Sequence, residues 1–193
     1  MNKMKTFLTI FVVLFSSLVF ADDISDFQIE GFGIGDSLLD NFSKKKIENM
    51  PKTFYPGSKK YYDIDFSIDS ELYDVLSVAV KENDNQYIIH AINGGKFFHD
   101  KINECKNFKN TIVKDLVLLF PNINERNYNY TYDQIDDGKS IAYITEFKLQ
   151  NGFVRVYCID WSKVTEKNSN WKDNASLEIM PQYYADWLQD ESR

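Results

Sequence analysis

Histidine, cysteine, arginine and proline are nearly missing: the 193 residues hold two, two, three and four of them. His90 and His99 stand nine residues apart, and the chain has no His-Glu-x-x-His metal pair and no Gly-x-Ser-x-Gly nucleophile elbow. Catalysis therefore has thin support. His90, among Ile88, Ile89 and Ile92, reads as a hydrogen-bonded strand residue, and His99, beside Asp100, as a surface one. Basic charge is also short, at 22 Lys and Arg against 29 Asp and Glu, a formal net charge of −7. That balance disfavours nucleic acid and anionic membrane surfaces as partners. The only arginines are Arg126, Arg155 and Arg193; the abundance of lysine, asparagine, isoleucine and tyrosine reads as codon bias from an AT-rich genome.

No apolar run is long enough to span a bilayer comfortably. The longest, Phe7 to Phe20, follows Lys3 and Lys5 and ends in Val19 and Ala21, with Asp22 and Asp23 directly after. This is the pattern of a cleaved signal peptide over residues 1–21, and no cysteine follows the cleavage position to carry a lipid anchor. The expectation is an exported protein, periplasmic or secreted, without a stable membrane anchor, whose residues 22–193 form one α+β domain with a net charge of −9. In an oxidising compartment Cys105 and Cys158 read as a structural disulfide rather than a catalytic or metal-binding pair.

The clearest period lies in Lys101 to Phe120. Ile102, Cys105, Phe108, Ile112, Val113, Leu116, Leu119 and Phe120 make one stripe on a 3.6-residue helix, with Asp100 as candidate N-cap and Pro121 as stop. Before it, Gly33 and Gly35 lead into a short helix capped by Asp36 or Ser37, with Leu38, Leu39 and Phe42 on one face, and Ser43 caps a further turn. No third glycine completes a nucleotide fingerprint, so a plain glycine-rich approach to a helix is preferred to phosphate binding. Three strands follow, over 60–68, 72–81 and 87–98; Tyr62, Ile64, Phe66 and Ile68 alternate with Asp63, Asp65 and Ser67, and Asn93-Gly94-Gly95 marks a bulge or turn in the third.

After the long helix, Asn151-Gly152 sits between two alternating runs and predicts a two-residue hairpin in which Leu149 faces Val154, Phe147 faces Val156 and Thr145 faces Cys158. Cys158 then points to the apolar face, and Cys105 lies on the apolar stripe of the helix that covers it. Two independent patterns bring the thiols together. Residues 162–174 read as a polar loop around Trp171, 175–180 as a last short strand, and Pro181 as the start of a helix carrying Tyr184, Trp187 and Leu188 on one side. The expected fold class is α+β: antiparallel sheet with a long packed helix, arranged as two fused helix-plus-meander units over 27–99 and 100–190.

The segment IEGFGIGDSLLDNFS, the YIIHAI strand, I-x-E-C on a helix and V-x-V-x-C-x-D-W on a strand resemble a family of small exported proteins of marine alphaproteobacteria that have no assigned function. That resemblance implies an exported location and little else. The helix-plus-meander alternation is also similar, in architecture alone, to periplasmic inhibitors of the beta-lactamase-inhibitor type and to small outer-membrane assembly lipoproteins. No binding residues carry over from either, and the lipoprotein cysteine is absent.

Asp133, Asp136, Asp137 and Gly138 invite comparison with an EF-hand, but Ile135 and Ile144 fall where oxygen ligands belong, so a solvated acidic turn is preferred to a looser carboxylate site. No metal or cofactor is expected. Tyr128, Tyr130 and Tyr132 alternate with Asn127 and Asn129; if extended, their rings share a face that either packs on the sheet or stacks on a sugar or a protein. Ile144, Ile159 and Trp161 add apolar residues where polar ones were due, covered by the C-terminal helix or exposed as an interaction patch. The leading expectation is a non-enzymatic protein that binds an envelope protein or glycan through Tyr128, Tyr130, Tyr132, Ile144, Ile159 and Trp161. The alternative is a small hydrolase or ligand-binding protein using carboxylates such as Asp63, Asp65 or Asp160.

Overall fold

The computed structural model of the chain describes residues 24–119, 121–123, 125–133, 138–169 and 171–192. The expected leader, Asp136 and Asp137 lie outside them. A 3₁₀ turn (Ile24–Asp26), a ribbon of β1 (Gln28–Ile29) and β2 (Phe32–Gly33), a second 3₁₀ turn (Leu38–Asp40) and α1 (Lys44–Glu48) precede a first meander: β3 (Lys52–Phe54), β4 (Tyr61–Ser67), β5 (Val75–Lys81) and β6 (Ile89–Phe97). Helix α2 (Ile102–Leu119) leads to a second, made of β7 (Glu125–Thr131), β8 (Ile141–Leu149), β9 (Gly152–Asp160) and, after α3 (Lys163–Ser169), β10 (Asn174–Pro181). Helix α4 (Gln182–Asp190) follows directly.

The two meanders share one antiparallel sheet in the order β3-β4-β5-β6-β10-β9-β8-β7, each in sequence order from its edge inward to the centre, with β6 and β10 paired there. The fold is α+β with α2 packed against the sheet. Local chemistry sets the short helices where the serines predict: Ser37 Oγ accepts from Leu39 N (3.1 Å) and Ser43 Oγ from Lys46 N (3.3 Å). Asp100 does not cap α2; its backbone is left-handed (φ 68°) and its carboxylate is held by Lys163.

Period-2 alternation places Ile64, Val78, Ile92, Ile179, Val156 and Phe147 on one face, under Ile112 and Leu116 of α2 and under Ile29, Leu38 and Ile47 of the N-terminal segment, all buried. At roughly 1.5–3 kcal/mol for each large apolar side chain removed from water, this face carries most of the burial. Cys105 and Cys158, both at 0% exposure, are joined, with Cα atoms 6.0 Å apart. A buried disulfide fits an oxidising environment. Among the described residues no helix is long and apolar enough to cross a membrane.

Three local expectations are corrected. The β8–β9 register is shifted by two: Leu149 pairs with Gly152, Phe147 with Val154 and Tyr143 with Cys158, so Gln150-Asn151 form the loop. A shift of two preserves every face, which is why the cysteines still meet. Gly152 is required by close approach rather than by turn geometry, since a Cβ there would lie 2.4 Å from Met180 O and 2.8 Å from Pro181 Cα of the neighbouring strand. Gly94 likewise sits in regular pairing, where a Cβ would meet the Tyr73 ring at 2.8 Å; the irregularity of β6 lies instead at His90, the extra residue opposite Ala79 and Val80 of β5. The supposed loop over 162–174 contains α3, whose first turn is capped by Ser162 Oγ accepting from Thr165 N (3.2 Å).

The disulfide closes a sequence separation of 53. Replacing both cysteines by alanine is expected to lower the unfolding free energy by about 3–4 kcal/mol, read from urea denaturation; a loss below about 1 kcal/mol would contradict the role assigned to the bond.

Candidate functional site

The second face of the sheet, away from α2, divides into three zones. At the β3–β4 end α4 lays Tyr184 and Trp187 over Tyr61, Ala79, Ala91 and Met180. His90, on the same side, shares a hydrogen bond between Nδ1 and the Tyr183 hydroxyl (2.9 Å), and burial lowers its pKa. The strand-histidine expectation thus fits, and His99 is exposed.

The middle zone is polar. Arg155 Nε donates to Glu146 Oε2 (2.6 Å), its Nη1 lies 3.7 Å from Glu178 Oε2, and Asn93 Nδ2 donates to the Tyr157 hydroxyl (2.7 Å). Burial raises the Glu178 pKa against the opposing pull of Arg155. The Tyr55 hydroxyl donates to Asp63 Oδ2 (2.8 Å) and also bonds the Tyr184 hydroxyl (2.8 Å). Burial pushes Asp63 up to about 6, Tyr55 pulling the other way and Asp65 adding to the rise. Asp63 and Glu178 line a cavity of about 80 Å³, well below the roughly 300–1,000 Å³ of small-molecule sites. Of the other two candidate carboxylates, Asp65 is exposed beside Asp63, and Asp160 falls on the opposite face. The three do not converge on a substrate-sized space.

The third zone, over β7 to β9, gathers the rings. Tyr130 is 54% exposed and stands edge-on to Tyr132 at 5.0 Å; Tyr132 lies 5.0 Å from Trp161, and Trp161 lies 4.6 Å from Trp171, itself 43% exposed. Ile159 and Trp161 are buried with Ala142 in a satellite cluster that Tyr132, Ile144 and Tyr157 flank. So neither branch of the sequence expectation holds for them: α4 covers the far end of the sheet, and the local rings do the covering here. Burial pushes the Tyr132 hydroxyl up to about 12. Tyr128 is set apart, its hydroxyl donating to Glu146 Oε2 (3.3 Å) and its ring 4.9 Å from the Arg126 guanidinium.

Trp171 is the residue that sequence reasoning left without a role. Asp173, two positions on, accepts the Trp161 backbone N–H on Oδ1 (2.9 Å), and its carbonyl accepts from Phe98 N (2.8 Å), which ties residues 171–173 to the ends of β9 and β6. Asp173 also joins Asp100 and Glu166 in a group whose carboxylate oxygens lie within 4.8 Å of one another. This oxygen-only set is of the type hard cations use, and the Lys163 ammonium, bonded to both Asp100 and Glu166, supplies a cation there. Compared with protein-family models, curated proteins and solved structures, the chain matches none. Its chemistry is therefore read from its own geometry.

Because Asp63 is raised from 3.8 to about 6, its neutral form favours the folded state; that contribution is complete below about pH 4 and lost as pH rises through about 6. Asp63→Asn, which cannot ionise, is expected to gain stability relative to the parent chain by on the order of 1–3 kcal/mol between about pH 4 and pH 8. Urea midpoints of both proteins at the two pH values measure this, and a pH-independent difference contradicts it.

Proposed function

We propose that this chain is an exported, non-enzymatic binding protein of the cell envelope that captures a protein partner on the ring surface of Tyr130, Tyr132, Trp161 and Trp171. The observation that carries the proposal is the ring series itself: two buried or half-buried rings brace two that are about half exposed. Rings locked by neighbours offer large contact area while little side-chain freedom remains to be lost on binding. Successive interplanar angles of 89°, 37° and 49° make the surface ridged rather than flat. A ridged surface favours the side chains of a protein over the flat face of a sugar. Strand β7, beside the rings, is also the edge of the sheet, paired on one side with β8. Its outer side suits an added strand from a partner.

The buried disulfide and the leader pattern support export. The space at Asp63, about 80 Å³ with one carboxylate tied to Tyr55 and the other facing Arg155, favours the binding reading over the hydrolase alternative.

The test is affinity capture by residues 22–193 from a non-reducing envelope extract of the host, beside the double variant Tyr130→Ala, Trp171→Ala. Both side chains are about half exposed, so the variant should keep its fold, its thermal midpoint falling by a few degrees at most. A protein retained by the parent chain and weakened at least about tenfold by the variant is expected. Equal retention by both, or recovery of glycan alone, overturns the proposal.

A further inference from the structure

On the α2 side of β7 and β8, facing away from the rings, the helix and the sheet edge form an open groove of about 420 Å³. Its walls include Lys106, Lys109 and Asn110 of α2 and Asn127, Asn129 and Tyr143 of the strands. We propose that this groove binds a small oxyanion, a carboxylate or a phosphate group, through the ammonium groups of Lys109 and Lys106. The inference does not rest on the ring surface and stands or falls separately from it.

Lys109 is 8% exposed, yet its Nζ makes one hydrogen bond, to Thr145 Oγ1 (2.5 Å), and among the described residues no carboxylate lies within ion-pair distance. An ammonium has three donors, so two are left over. A buried charge that no carboxylate contacts directly is costly, and an anion in the adjoining groove relieves that cost. The neighbouring groups are committed in ways that leave these donors free. Thr145 Oγ1 passes its own hydrogen to Asn127 Oδ1 (2.6 Å), so it serves Lys109 as an acceptor only. Glu125 acts on Lys109 from beyond ion-pair distance and makes no hydrogen bond to it, while accepting from Asn127 Nδ2 (3.1 Å).

Lys106 Nζ is held 3.5 Å above the centre of the Tyr143 ring, a cation–π contact that positions the charge without neutralising it. Asn110 and Asn129 add amide donors. The charged side chains among the wall residues are both cationic, in a chain whose net charge is −7, so the wall runs against the composition of the rest. Its volume lies within the range of small-molecule sites. Burial lowers the pKa of Lys109, a shift that a bound anion would reverse.

The probes are sodium phosphate and sodium acetate, titrated separately into ¹⁵N-labelled residues 22–193 at constant ionic strength, with sodium chloride as reference. Saturable amide shifts confined to α2, β7 and β8 are expected for at least one oxyanion and not for chloride, and the probe that saturates at lower concentration identifies the preferred group. Lys106→Gln should weaken that binding about tenfold, the scale of one charge-assisted contact, and Lys109→Met should abolish saturation. Lys106 is only half-buried, so its variant carries the test even if Lys109→Met fails to fold. Shifts that grow linearly for every salt, or an affinity unchanged by Lys106→Gln, overturn the proposal.

Discussion

Antiparallel pairing of β10 with β6 is the contact on which the remaining architecture depends. It runs from Asn174 opposite Phe97 to Ile179 opposite Ile92, joining strands that are 77 to 87 residues apart in the chain. Without it, β6 and β10 would each be an exposed edge and the apolar first face would be cut in two. Both coverings of the second face also hang from this strand. Immediately before it, residues 171–173 bring Trp171 onto Trp161; immediately after it, α4 brings Tyr184 and Trp187 onto Tyr61.

The charges buried on the second face act on the same constraint. Glu146, Arg155 and Glu178 are direct cross-strand partners over β8, β9 and β10, and Asn93 continues the row onto β6. Such ion pairs add little net stability because desolvation opposes the attraction. Their effect is on register. A slip by one residue would send the arginine to the apolar face and leave two carboxylates half-buried without a counter-charge. A row of this kind makes the alignment of four strands specific, and the ring surface borders it at Tyr157.

What was legible in the chain was what depends on near neighbours. The stripe on α2, the serine caps at Ser37 and Ser43, the alternation of β4 and the Pro181 start of α4 all follow from spacings of two to four residues. The disulfide followed too, because face assignment survives a two-residue error in register. The register itself did not, since Gly152 answers to the backbone of β10 rather than to its own turn. The central place of β10 and the partnership of Trp161 with Trp171 were hidden for the same reason: each needs a contact between segments whose order in space no local period encodes. Tyr130 was legible as a candidate and is exposed. Ile159, legible as an apolar residue on the outward face, turned out to be the floor beneath the rings, and Trp161 the buried ring that braces Tyr132 and Trp171.

If β6–β10 pairing makes the sheet one cooperative unit, the two meanders should not open separately. Native-state amide hydrogen exchange at increasing denaturant measures this directly. The account predicts that the slowest amides of β5 and those of β9 converge on a single opening free energy with a common denaturant dependence. Two separate plateaus, with residues 61–97 opening at lower free energy than residues 141–181, would contradict it and would mean that the second meander and its ring surface stand without the first.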